Sequence, residues 1–402
     1  MSNPRLRFKR ADGTDYPDWE EKKLGEVLTQ RRDIQTISEK APLLAFTIED
    51  GVIDPKDKKT NKRDFLIKDK ENKKFQLTKY DDIIYNPANI KFGAIHRNKF
   101  GEGVVSPIYV ILKTNQNPSF VEYSLKRESF ISKTKKYLEG TVEKLRTLKS
   151  ENFLSLSVFL PCLEEQEKIG SFLSDIDEVI LASDQEVKKF QELKKGAMQK
   201  IFSQEVRFKR DDGTDYPDWK EKKLGDICNI YDGTHQTPNY TKTGIKFVSV
   251  ENINDLYSSQ KFISEKDFDK NYKIYPQKGD ILMTRIGDIG TPALVSKDEK
   301  IAFYVSLALF KPNNIINSKF FVQVLQSNFV KQEFWIRTLH TAFPKKINKK
   351  DIGICKLFLP CLEEQEKIGD FLSDFDEAIS LAKQELEKWK LLKKGLLQQM
   401  FT

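Results

Sequence analysis

Two stretches of the chain carry apolar positions that step by fours and threes. In the first they fall at Ile169, Leu173, Ile176, Ile180, Ser183, Val187 and Phe190, and the stripe continues through Leu193, Ala197 and Ile201. In the second they fall at Ile368, Leu372, Phe375, Ile379, Ala382, Leu386 and Trp389, then Leu392, Leu396 and Met400. A 3.5-residue period of this kind is the mark of a coiled-coil seam. Each stretch predicts a helix of about 40 residues, more than ~50 Å long at ~1.5 Å per residue. Such a helix cannot cover its stripe on one small domain, so the two are expected to pair within the chain. Antiparallel pairing is expected because a whole domain lies between them. The plainer alternative is a zipper between separate chains. Gly196 and Gly395 interrupt the stretches at ~1 kcal/mol each and are expected to let the last turn bend.

The segments between are patterned as short strands and single helices. In the first, strand candidates lie at 43–48, 82–85 and 104–112, and a helix is expected after Asn117-Pro118 with Ser119 as its N-cap. In the second, strands are expected at 245–250, 280–285 and 301–310, followed by a helix over 319–337 capped by Ser318. The fold class is therefore α+β (mixed α/β): two globular domains joined by two long antiparallel coiled-coil helices.

Both helices belong to a duplication. Residues 159–180, FLPCLEEQEKIGSFLSDIDEVI, return at 358–379 with 19 of 22 positions identical, at an offset of 199. Residues 7–27, RFKRADGTDYPDWEEKKLGEV, return at 207–227 with 17 of 21 identical, at an offset of 200. This second motif reads as a turn leading into a short strand or helix, with Trp19 and Trp219 packing it onto its domain. The intervening segments resemble each other only faintly, as in Asp82-Ile83-Ile84 beside Asp280-Ile281-Leu282. The expected boundaries are 1–160 for the first domain, 161–203 for the first long helix, 204–359 for the second domain and 360–402 for the second helix. The internal pseudo-twofold is thus written into the sequence.

Charge sharpens this division. The 402-residue chain is 32% charged with a formal net charge of +8. Residues 31–150 hold 25 Lys and Arg against 16 Asp and Glu, and residues 231–350 hold 18 against 11, whereas the repeated framework holds 25 against 33. A basic balance is often a solvated surface, but its confinement to the unlike segments favours a polyanion partner. Candidate contacts to nucleic acid are the basic and amide side chains on expected loops. They are Arg31, Arg32, Lys58, Lys59, Arg63, His96, Arg97 and Lys99 in the first segment. In the second they are Thr234, His235, Gln236, Arg285, Lys345, Lys346 and Lys349.

Catalytic motifs are absent. There is no phosphate-binding GxxxxGK[ST] and no GxGxxG opening a helix. Pro17-Asp18 with Glu21 and Lys23 suggests a nuclease core, but in such a core the Asp and the Glu-x-Lys lie on separate strands, and here two residues separate Asp18 from Glu21. Asn86-Pro87-Ala88-Asn89 departs from an adenine methyltransferase site at its last two positions, and His96, His235 and His340 do not recur at equivalent repeat positions. Cys162 and Cys361 share a repeat position, Cys228 and Cys355 stand alone, and no zinc spacing exists, so reduced thiols are expected. No apolar run approaches a membrane span, and the start MSNPRLRFKR lacks the apolar core of a signal peptide, so a cytoplasmic protein is expected.

The order of unlike segment, PCLEEQEKIG helix, PDWxxxKLG motif, unlike segment and second helix resembles the specificity subunit of type I restriction-modification enzymes. The resemblance covers essentially the whole chain. It implies that residues 31–150 and 231–350 are target recognition domains, each reading one half of a split, asymmetric site in double-stranded DNA. It implies helices that hold those domains apart by about one turn of B-DNA, ~34 Å, or slightly more. It further implies docking to two methyltransferase subunits and to restriction (translocase-nuclease) subunits. Those subunits would carry S-adenosylmethionine, ATP and Mg²⁺, leaving this chain without cofactor, metal or catalytic residues. The competing classes are a stand-alone nuclease or DNA methyltransferase with an unrecognised site, and a protein-binding scaffold.

Overall fold

The computed structural model describes residues 4–58, 73–140 and 146–401, in two units. The first comprises Met1–Ser183 with Glu385–Thr402, and the second Asp184–Gln384. Each unit therefore holds one α+β domain, the start of one long helix and the end of the other.

The motif at the head of each repeat folds the same way twice. A tight turn at Gly13 or Gly213 leads into strand Glu20–Lys23 or Lys220–Lys223, and a single helical turn, Leu24–Val27 or Leu224–Ile227, follows. Each strand pairs antiparallel with the strand that ends its domain, Glu20–Lys23 with Ser157–Leu160 and Lys220–Lys223 with Lys356–Leu359. That pairing joins the entrance of the domain to its exit, directly ahead of the long helix.

Each domain is built on a four-stranded antiparallel sheet of the same order. In the first unit the strands run Leu28–Gln30, Val110–Thr114, Ile83–Tyr85, Ile95–Arg97. In the second they run Cys228–Asp232, Leu307–Pro312, Ile281–Thr284, Pro292–Leu294. The central strands are apolar on both faces, as a strand sandwiched between helices and a second sheet requires. Ile83, Ile84, Tyr85, Ile281, Leu282 and Met283 are all fully buried. A three-stranded sheet lies beside each. In the second unit it includes the parallel pair Ile245–Val248 and Ile301–Phe303, and in the first both strand pairs are antiparallel, with a single parallel bridge from Leu43 to Val104.

The expected strands 104–112 and 301–310 each prove to be two strands in different sheets. Gly103–Val105 and Val110–Thr114 are separated by a turn at Ser106-Pro107, where Tyr109 N–H donates to the Ser106 carbonyl. Ile301–Phe303 and Leu307–Pro312 are separated by a turn in which Leu307 N–H donates to the Tyr304 carbonyl. An unbroken apolar run conceals such a corner, because hydrophobicity alone does not mark a change of sheet.

The expected caps are also displaced. Asn117 caps the helix Pro118–Lys126 by accepting from Phe120 N–H at 3.0 Å, and Asn317 caps Ser318–Leu325 by accepting from Phe320 N–H at 3.1 Å. Pro118 occupies the first helical position, where a missing N–H costs nothing, so the cap falls one residue before it. Each expected single helix is two. The chain turns at Arg127 before Glu128–Thr134 and at Ser327 before Asn328–Arg337.

The long helices span Leu163–Phe202 and Leu362–Met400 without a break, so Gly196 and Gly395 do not interrupt them. Within the first unit, Met400 and Phe401 share a buried cluster with Ile169 and Leu173, while Lys393 reaches Asp177. Within the second, Ile201 shares a cluster with Ile368 and Leu372, while Lys194 bonds Asp376 at 2.6 Å. Rising numbers on one helix meet falling numbers on the other in each unit, so the packing is antiparallel. Ile169, Leu173, Ile176, Val187, Ile368, Leu372, Ile379 and Leu386 are buried, and Ile180, Phe190, Phe375 and Trp389 are half-buried. The expected stripe fails at Leu193 and Leu392, 49% and 47% exposed, where Lys194 and Lys393 turn inward instead.

The far end of each helix completes a domain core. Phe401 stacks on Phe120 with centroids 5.2 Å apart and meets Trp19 edge-on at 6.0 Å. Its repeat equivalent, Phe202, meets Phe320 and Trp219 at 6.0 and 6.4 Å.

Candidate nucleic-acid interface

The repeated helix motif is a bracket, and each of its polar residues has a mechanical task. Glu165, fully buried, receives Arg7 in a fork, Nη2 to Oε2 at 2.8 Å and Nε to Oε1 at 3.0 Å. Arg207 grips Glu364 identically at 2.7 and 3.1 Å, and Trp219 Nε1 donates to the same carboxylate at 3.0 Å. The hydrogen bond that each arginine donates to its glutamate raises the arginine pKa above the ordinary value. Gln166 Oε1 accepts from Asn117 N–H at 3.1 Å and its Nε2 donates to the Pro161 carbonyl at 2.8 Å. Gln365 does the same with Asn317 and Pro360 at 2.8 Å each. Gly170 and Gly369 let the helix close on those caps, since an added Cβ would stand 2.5 Å from Asn117 Oδ1 or 2.7 Å from Phe320 N. The sequence EEQEKIG thus pins the head motif, the strand exit and the cap of the next helix at one point.

On that bracket the candidate contacts fall into two groups. The first group is already engaged within the fold. Arg31, its side chain 10% exposed, donates from Nε and Nη2 to both oxygens of Asp82 at 2.7 and 3.0 Å and from Nη1 to Asp33 at 3.0 Å. These bonds raise its pKa, the Asp82 bond most. Arg285 is buried against Asp232. Arg97 pairs with Asp81 at 3.1 Å, and Lys99 approaches buried Glu122 at 3.2 Å. His96 is buried, its Nε2 2.8 Å from the Ile48 carbonyl and its Nδ1 3.1 Å from Lys126 Nζ. Burial, with Lys126 beside it, pushes the His96 pKa down to about 4, so the ring is neutral at pH 7, donating from Nε2 and accepting at Nδ1. These residues brace the fold, and His96 and Arg97 lie on the strand Ile95–Arg97 rather than on the expected loop.

The second group faces solvent. Arg32, His235, Gln236, Lys345, Lys346 and Lys349 are exposed, and Thr234 is half-buried with its hydroxyl on the Gln236 carbonyl. Lys58 is half-buried and lines a cavity of about 400 Å³ with Phe46, Asp50, Asn89 and Tyr109. Lys59 and Arg63 lie outside the described residues. In the second unit the basic segment 345–350, which ends in the short helix Lys349–Gly353, follows an exposed aromatic that its charge pattern did not single out: Phe343 is fully exposed, and Trp335 upstream is 67% exposed. The signal available in sequence was the juxtaposition of Phe343-Pro344 with Lys345-Lys346.

Among the described residues no group of three or more His, Cys, Asp or Glu side chains is placed to hold a metal ion. The four cysteines are free, and burial raises the pKa of Cys228 and Cys355, the latter to about 12. No described helix is long and apolar enough to cross a membrane.

Fold and site together define an internally duplicated recognition protein, two braced α+β domains that present basic loops from a repeated helical bracket. A family model described as the type I restriction modification DNA specificity domain matches residues 216–390. The MjaVIII type I restriction enzyme specificity subunit of Methanocaldococcus jannaschii is 25% identical over 98% of this chain and 95% of its own length. The EcoBI specificity subunit of Escherichia coli is 29% identical over 38% of this chain and 33% of its own. Among solved structures, the type I S subunit from M. genitalium superposes over 100% of this chain and 99% of its own with a TM-score of 0.65, at 15% identity. A chain from a structure concerned with complex assembly and conformational transition of a type I system covers 96% of this chain and 98% of its own with a TM-score of 0.51, at 18% identity. Along nearly its whole length the chain is thus similar to specificity subunits of type I restriction-modification enzymes, and residues 216–390 carry their DNA specificity domain.

Proposed function

We propose that this chain is the non-catalytic, sequence-reading component of a type I restriction-modification complex, and that each unit presents one target recognition domain to duplex DNA. The observation that carries the reading is the separation of roles. A repeated, acidic framework is consumed in internal brackets, and the unlike segments 31–150 and 231–350 carry the positive charge and the exposed loops. Phosphates are met by point charges such as Arg32, Lys345, Lys346 and Lys349, and base edges by amide and imidazole groups such as Gln236 and His235. Arg31, Arg97 and Arg285 act one step back, by holding the loops in shape.

Because the two segments differ, they read two different half-sites. Methyl transfer to adenine from S-adenosylmethionine, and ATP- and Mg²⁺-dependent translocation and cleavage, fall to two methyltransferase subunits and to restriction subunits docked on the acidic framework. The assembly works in the cytoplasm, where its DNA lies.

Mapping methylated adenines in cells that carry this chain with its partner subunits tests the reading. Exchange of residues 231–350 for the corresponding segment of another such chain is expected to change one half-site and leave the other intact. A change in both, or in neither, defeats it. Affinity for duplex DNA is expected to fall steeply between about 50 and 200 mM salt as counterions are released.

A further inference from the structure

We propose that Phe343 is an intercalating wedge, which enters the base stack of the half-site read by the second unit while Lys345 and Lys346 hold the adjoining phosphates. The inference rests on the DNA-reading function above and adds a mode of recognition to it, the reading of how readily one base step unstacks. Phe343 is fully exposed, at 104% of its reference area, although its ring is among the largest apolar groups the chain could bury. Its surroundings select the occupant. Residues 340–350 hold four lysines and no acidic residue, and Lys345, Lys346, Lys349 and Lys350 are all exposed. An apolar projection flanked by cations suits an anionic polymer with an apolar interior, which is what a DNA duplex offers.

The projection is also held in place. Leu339 N–H donates to the Lys346 carbonyl at 2.8 Å and closes the loop at its neck. On the other side Gly287 N–H donates to the Lys345 carbonyl at 2.8 Å and Ile347 N–H to the Arg285 carbonyl at 3.0 Å, with Ile347 buried. Arg285 itself is fixed by Asp232. A ring carried on a pinned loop enters a stack without first losing loop entropy, so the cost of unstacking is met by contacts made on insertion. At the start of the same loop His340 lies against the exposed ring of Trp335, with ring centroids 4.8 Å apart.

The test uses the assembled complex with full-length chain and duplexes in which 2-aminopurine is moved step by step through the half-site that the segment exchange assigns to the second unit. One step is expected to brighten on binding. Phe343→Ala is expected to abolish that signal and weaken binding about tenfold, and Phe343→Trp to keep both. Lys345→Gln with Lys346→Gln is expected to weaken binding to all sequences alike and to reduce the salt dependence. Brightening at a methylation target adenine, common to all variants, is read separately. The proposal is overturned if no other step brightens, or if Phe343→Ala binds and brightens as the parent does. It is overturned equally if Phe343→Ala leaves DNA affinity intact and impairs subunit assembly, which would make this face a protein-docking surface. If the parent complex fails to bind duplex DNA at all, the functional reading falls and takes the wedge with it.

Discussion

In the first unit Asp177 receives Lys393 and, at 2.6 Å, the hydroxyl of Tyr123; in the second Asp376 receives Lys194 and, at 2.8 Å, the amide of Gln323. Asp177 and Asp376, like Lys194 and Lys393, are repeat equivalents. The ion pair therefore belongs to the framework, and its third partner belongs to the domain that happens to sit there. Lys393 also lies over the Tyr123 ring at 5.0 Å, a contact that glutamine cannot offer. The difference teaches that each recognition domain is attached to the helices by shared points, Arg–Glu, Gln–Asn, Gly against cap, and personalised at others, of which this clasp is one. A domain that keeps Asn117 or Asn317 at the start of its helix meets the bracket whatever its loops carry.

Breaking the shared points should hurt both units alike. The largest effect is expected from Glu165→Ala or Glu364→Ala, which strands an arginine beside a buried space and should cost ~3–5 kcal/mol in the affected unit. Amide hydrogen exchange resolved by unit measures it, and a loss confined to one unit for both variants would contradict the equivalence. Leu173→Ala and Leu372→Ala remove the same fully buried side chain from the two helix pairs and should each cost ~2–5 kcal/mol in urea unfolding.

Acid should separate the units. His96 has a folded pKa near 4 against 6.5 in the open chain, so the unfolded state binds the extra proton and this contribution is present above pH 6.5 and lost as pH falls toward 4. The loss is on the order of 2–3 kcal/mol in the first unit. The second unit holds no buried histidine, since His235 and His340 are both exposed. Unit-resolved exchange at pH 7 and pH 5 should show preferential loosening of the first unit, removed by His96→Gln. The smallest effect is expected from Tyr123→Phe and Gln323→Leu, each ~1 kcal/mol or less, because the lysine–aspartate contact beneath them survives. Thermal melts of both variants check that the third partner refines the clasp without making it.

The helix pair was legible in sequence because its signal is local. Ile169, Leu173, Ile368 and Leu372 follow the seam and are buried. The reading failed where a lysine outcompeted leucine for the inner position, at Lys194 and Lys393, since an aspartate on the opposing helix makes that position polar and nothing near Leu193 or Leu392 announces it. The candidate interface was legible as charge but not as role. Arg31 and Asp82 are 51 residues apart, and Arg285 and Asp232 are 53 apart, so the partners that turn these arginines into braces are invisible to any short window. Phe343 escaped notice for the opposite reason, because an aromatic residue read from sequence is assigned by default to a core.

Phe401 bears on how the protein is made. The second unit is one continuous length of chain, 184–384, and can close as soon as that length has left the ribosome. The first unit is interrupted, and Trp19 and Phe120 wait for a ring that is synthesised 281 residues after Phe120 itself. At ~5–20 residues per second, that leaves the earlier-made domain unfinished for about 15–60 s, while the later-made one completes first. In this chain the order of synthesis and the order of folding run opposite ways.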